Sequence, residues 1–214
     1  MTLANGDRDL GDLLDIFRSG GWLMWPLLLL SLLAIGIIFE RLFSLRAERI
    51  LPPDLVADIE ADIHRGDVDQ ARDRAEGDPS PLATILASGL RLSGLQREVI
   101  KESIEETGRH VVADLSRYLT LLGTIAAISP LVGLLGTVIG MIEVFTVITS
   151  QGVGDPGVLA GGISQALLTT AFGMSVAIPA IAMHRYFTAK VDRLVVDMEQ
   201  DALRVVEIIR GDRP

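Results

Sequence analysis

Polar side chains stand out where the surrounding sequence is almost wholly apolar. Thr137 lies in one such stretch, and Ser164, Gln165, Thr169, Thr170 and Ser175 lie in another. A hydroxyl or carboxamide in an apolar helix has two uses. It can satisfy itself on its own backbone, as threonine does on the carbonyl one turn back, or it can line a polar path for water or an ion. One threonine decides nothing; several on two neighbouring helices leave both readings open. Glu143 is the acidic residue within the apolar part of these stretches. An intramembrane carboxylate is costly and marks a candidate ion pathway, although a place near a helix end also suits an ordinary interfacial carboxylate.

The elements that carry these groups follow from the distribution of charge. No Asp, Glu, Lys or Arg occurs in residues 22–39, 118–142 or 156–183. As helices these 18-, 25- and 28-residue windows are about 27, 37 and 42 Å long. Each matches a hydrocarbon core of roughly 30 Å. The chain therefore reads as an all-α polytopic membrane protein with three spans, at 22–43, 118–149 and 159–187. Residues 1–21 form an outward-facing segment with a possible interfacial helix over Asp9–Phe17, and Trp22 and Trp25 mark an interface. Four aspartates and two arginines precede the first window, which is unlike a basic signal-peptide start.

Residues 44–117 hold a helical, water-facing insertion, with fifteen acidic and nine basic side chains between Ser44 and Leu115. Short helices are expected over Asp54–His64 and Val68–Ala75, with a breaker at 77–81 and a longer helix that runs toward the second span. Residues 150–158 form a short outward loop, and 188–214 a charged amphipathic tail or a continuation of the third span. Arg41, Arg46 and Arg49 follow the first span, Arg109 and Arg117 precede the second, and Arg185, Lys190 and Arg193 follow the third. The positive-inside rule then places the insertion and tail in the cytoplasm and the N-terminus outside.

Small residues dominate the second and third spans. Ser129, Gly133, Thr137 and Gly140 recur at helical spacing, and Gly136 and Gly140 form a GxxxG pair. Such positions let helix backbones approach where no hydrophobic force drives association. Gly173 is the matching candidate in the third span. Pro130 and Pro179 are candidate kinks.

Other chemistry is poorly represented. The chain has no cysteine, its three histidines (His64, His110 and His184) are far apart, and a net charge of −9 disfavours nucleic acid. No Walker A motif, GxGxxG or nucleophile elbow occurs. An enzyme is not expected, and neither a cofactor nor a metal is.

The run Ile128-Ser-Pro-Leu-Val-Gly-Leu-Leu-Gly-Thr-Val-Ile-Gly-Met-Ile-Glu-Val-Phe145 resembles the second-span signature of the MotA/TolQ/ExbB proton channel family. Gly161-Gly-Ile-Ser-Gln-Ala-Leu-Leu-Thr-Thr-Ala-Phe-Gly-Met-Ser-Val-Ala-Ile-Pro-Ala180 resembles its third-span signature. Three spans and a short chain resemble the ExbB/TolQ branch more than the flagellar stators.

The resemblance implies an inner-membrane homo-pentamer around the spans of an ExbD- or TolR-like partner, whose aspartate accepts the proton. A TonB- or TolA-like protein would transmit the work. Thr137 and Thr170 match the family's pore threonines. Gln165 stands where the best-known members carry glutamate, so this side chain cannot titrate, and Glu143 becomes a candidate replacement. Protons are the implied coupling ion, with sodium known in the wider family. A TolQ-like role in envelope integrity and division, or a non-conducting scaffold, remains as an alternative.

Overall fold

A computed structural model describes residues 19–152 and 156–209. The expected interfacial helix at 9–17, part of the outward loop and the last five residues lie outside this range. The described residues are helical throughout their regular structure. In chain order the elements are α1 (Met24–Ser44), α2 (Ala47–Ile50), α3 (Leu55–His64), α4 (Val68–Gly77), α5 (Pro81–Leu90), α6 (Arg97–Leu115), α7 (Leu119–Gln151) and α8 (Pro156–Ile209). Three helical stretches are long and apolar enough to cross a membrane: α1, the stretch that contains α7, and α8. Their residues fall into two compact units. The apolar unit holds residues up to Phe39 together with Thr120–His184; the polar unit holds Glu40–Leu119 and the chain from Arg185 onward.

Within the polar unit, local signals start the helices where the chemistry requires. The Asp67 carboxylate accepts the Gln70 amide at 3.0 Å and begins α4, just after Gly66 turns the chain with φ 81°. The Ser80 hydroxyl accepts the Ala83 amide at 3.2 Å and Pro81 fills the first position of α5. These are the expected uses of an N-cap and of a proline whose missing N–H leaves no unmet bond. The core gathers Leu82, Leu86 and Leu90 of α5 with Ile100 of α6, each at most 2% exposed. The end of α8 contributes Phe187, Val191, Leu194, Met198, Ala202 and Val205, all buried. Steps of four and three residues put these on one helix face.

The structure decides two points of continuity that the sequence left open. Tail and third span form a single helix, since no breaker interrupts residues 156–209 and Pro179 is accommodated within it. The helix before the second span, by contrast, ends at Leu115, and Ser116–Tyr118 form a turn before α7. The Arg41 side chain, only 4% exposed, accounts for part of this. It donates Nη1–H to the Leu115 carbonyl at 2.9 Å, pairs with Glu40, and stacks 5.0 Å from the Tyr118 ring centre. An otherwise unmet helix-end carbonyl thus receives a charged donor.

Candidate functional site

The apolar unit is built on the close crossing of α7 and α8. A methyl group at Gly173 would lie 2.6 Å from the Ser129 carbonyl oxygen and 3.1 Å from the Gly133 Cα. Both obstacles are backbone, so Gly173 is the point of tightest approach. Gly133 faces the backbone of Thr169 and Thr170, Gly136 faces the Thr169 side chain, and Gly140 faces Ala166 and the Gly162 carbonyl. Ser129, fully buried, donates to its own Ile125 carbonyl at 2.7 Å. The GxxxG pair is therefore a contact surface. Thr137 sits at its edge, half-buried, one turn beyond Gly133.

The two threonines singled out from the sequence both bond carbonyls of this part of α7. Thr170 Oγ1 donates across to the Gly133 carbonyl at 2.7 Å. Thr137 Oγ1 donates to the Leu134 carbonyl at 2.6 Å. Gly133 and Leu134 are the carbonyls four and three residues before Thr137, the two that a helical threonine ordinarily reaches. Thr170 takes the first and Thr137 the second. Two hydroxyls on different helices thus sit on successive carbonyls of one turn.

Gln165 and Glu143 point elsewhere. Gln165 lies five residues before Thr170, about 7.5 Å along α8 and roughly 140° around it. Its carboxamide rests on Gly21, where a Cβ would fall 2.3 Å from Nε2. Gly21 also has φ 77°, a left-handed conformation that glycine adopts without strain. Beside it, Thr169, 1% exposed, donates its hydroxyl at 2.9 Å to the Gly20 carbonyl, with the Gln165 carbonyl equally near. Thr169 therefore joins all three spans: α8 carries it, its methyl packs on Gly136 of α7, and its hydroxyl holds the turn that opens α1. Glu143 is exposed, six residues past Thr137, which is about 9 Å along α7 and roughly 120° around it.

In the sequence Thr169 is one hydroxyl among several, and nothing marks Gly20 and Gly21 as its neighbours. The consecutive glycines ahead of Trp22 were the available signal for a turn. Pro130 and Pro179 lie inside continuous helices. No group of three or more His, Cys, Asp or Glu placed to hold a metal occurs among the described residues.

Outside the spans the ionisable groups pair within the polar unit. Asp62, fully buried, accepts from Arg65 and from Arg74 Nε at 2.8 Å. The hydrogen bond to Asp62 raises the Arg74 pKa, opposed by desolvation and aided by the charges of Asp62 and Asp58. In the tail, desolvation raises the Asp201 carboxyl above the usual carboxylate range, opposed by Arg204 and reinforced by Asp197.

Residues 78–200 match the MotA/TolQ/ExbB proton channel family. The chain is 38% identical over 177 residues to biopolymer transport protein ExbB-like 1 of Synechocystis sp., covering 81% of this chain and 69% of that protein. It is 31% identical over 187 residues to biopolymer transport protein exbB1 of Vibrio cholerae, covering 84% and 80% of the two chains. A chain in the structure of C. jejuni MotAB has a TM-score of 0.61 at 18% identity, over 99% of this chain and 86% of that one, a likeness of fold. With its two span signatures, its three membrane-length helices and these relatives, the chain belongs to the MotA/TolQ/ExbB proton channel family, a family of channel subunits rather than enzymes.

Proposed function

We propose that the chain is an ExbB-like proton-channel subunit of an inner-membrane motor. It assembles as a homo-pentamer around the spans of an ExbD-like partner and couples the proton motive force, through a TonB-like transducer, to transport across the outer membrane. The N-terminus faces the periplasm, and the insertion and tail face the cytoplasm. The observation that carries this reading is the pairing of Thr137 and Thr170 on the successive Gly133 and Leu134 carbonyls. It gives a compact polar spot, half-buried in one chain and open to a further helix.

In this reading a proton enters from the periplasmic side, neutralises the partner's aspartate beside Thr137 and Thr170, and leaves to the cytoplasm. Neutralisation removes the desolvation penalty that holds an ionised carboxylate away from apolar wall. Alternation between polar and apolar surroundings then drives rotation or rocking within the ring. A potential of 100 mV supplies about 2.3 kcal/mol per proton. Glu143 belongs near the outward mouth, where its exposure suits a carboxylate that gathers protons. Gln165, against Gly21, suits a part in holding the first span better than a part in the proton chain.

The reading is tested by co-reconstituting the chain with its ExbD-like partner in liposomes and following proton flux under an imposed potential. Flux is expected to disappear when the partner's aspartate becomes asparagine; undiminished flux in that variant rejects the route. Native mass spectrometry of the solubilised subunit is expected to give five copies, against which a stable monomer or dimer would count.

A further inference from the structure

Both threonine hydroxyls at the candidate site are already engaged as donors. A carbonyl oxygen has no hydrogen, so the single hydroxyl proton of Thr170 lies in the bond to Gly133 and that of Thr137 in the bond to Leu134. What each presents to an incoming group is therefore an oxygen with lone pairs and no free O–H. Such a surface accepts hydrogen bonds and offers none.

We infer that Thr137 and Thr170 form an acceptor-only wall, which recognises a carboxylic acid in its protonated form and disfavours the carboxylate. The inference rests on the proposed proton route and adds which protonation state the wall selects. A protonated acid can donate its O–H to Thr170 or Thr137. An ionised carboxylate finds only lone pairs there, unless a threonine gives up a bond of 2.6 or 2.7 Å to its carbonyl. That exchange costs the threonine its bond to a carbonyl that keeps its helical N–H partner, so one hydrogen bond opposes it.

The neighbouring charges do not reverse this preference. Between Tyr118 and His184, Glu143 is the ionisable side chain among the described residues of α7 and α8, and the described part of α1 has none before Glu40. Glu143 sits about two turns from Thr137 on another side of the helix, and its negative charge also favours the neutral acid. The wall thus holds the partner's acid after it has taken up a proton. Release requires the acid to move off the two threonines toward water, which couples deprotonation to displacement.

The test follows the carboxyl stretch of the partner's ¹³C-labelled aspartate by infrared difference spectroscopy, in the assembled complex, across a pH titration. In T137V and in T170V the protonated fraction is expected to fall, with the midpoint about one pH unit lower, the tenfold change that loss of one hydrogen bond to the neutral form produces. T170S and T137S keep the oxygen and are expected to titrate like the parent. The serine variants also control for packing, since a purely structural effect follows the lost methyl and not the lost oxygen. An unchanged or raised midpoint in both valine variants overturns the inference, even where flux still depends on the partner's aspartate. Flux that persists without that aspartate defeats the route itself, and the two failures are read separately.

Discussion

The two units of this chain solve the problem of holding helices together with different materials. In the polar unit, α5 and α6 meet through leucine and isoleucine, and Asp62 ties α3 to α4 through Arg74. Water supplies the force there, because burying each large aliphatic chain removes apolar surface from it. In the apolar unit the corresponding contact is made by Gly133, Gly136, Gly140 and Gly173, while Leu131, Leu134, Val138 and Ile142 stand exposed on the opposite side. Lipid is as apolar as leucine, so a large side chain gains little by turning inward. Close backbone contact and hydroxyl-to-carbonyl bonds take over. The bond by which Thr170 fastens α8 to Gly133 of α7 also uses its hydroxyl proton, while Thr137 spends its own within α7.

The contrast can be broken from either side. The largest effect is expected at Gly173, where a side chain meets backbone on α7. Gly173→Val should cost about 3 kcal/mol or prevent assembly, measured as loss of resistance to unfolding in detergent. Ile100→Ala, in the polar unit, should cost about 2–3 kcal/mol by opening a cavity, with the first loss in protection from hydrogen exchange confined to that unit. Thr169→Val should cost about 1 kcal/mol and loosen the start of α1, seen as a broader distance distribution between spin labels at positions 22 and 164. Thr169→Ser should restore it. The absence of native cysteine makes such labelling direct.

The smallest effect concerns pH. Asp201 has a raised pKa in the folded chain, so the folded state binds its proton more readily than the unfolded one. Its favourable contribution is complete below the unfolded carboxylate pKa and is lost as pH rises through the folded value. Asp201→Asn is therefore expected to stabilise the polar unit slightly at neutral pH. That gain should vanish in acid, as followed by thermal melting at several pH values.

Much of this architecture was legible in the sequence because charge avoidance and glycine spacing are local properties. Three charge-free windows announced the membrane-length helices, and the Gly136–Gly140 repeat announced a contact face. What stayed hidden depends on partners distant in the chain. Whether Thr170 bonds its own helix or Gly133 is settled only when α7 lies against α8. Gln165 reads as a polar group for a channel until Gly21 is placed beneath it. Arg41 looks like one of several interfacial arginines, yet its burial against Leu115 and Tyr118 helps to end a helix that the apolar pattern alone would continue.

The central claim is that protons pass a polar spot made by Thr137 and Thr170. Its most direct test is proton flux in liposomes that contain the complex, with both threonines replaced by valine and assembly checked by native mass spectrometry. The account requires an intact assembly whose flux falls at least about tenfold, as expected when a hydrogen bond worth about 1.4 kcal/mol is lost at the site. An intact assembly that conducts like the parent would contradict it.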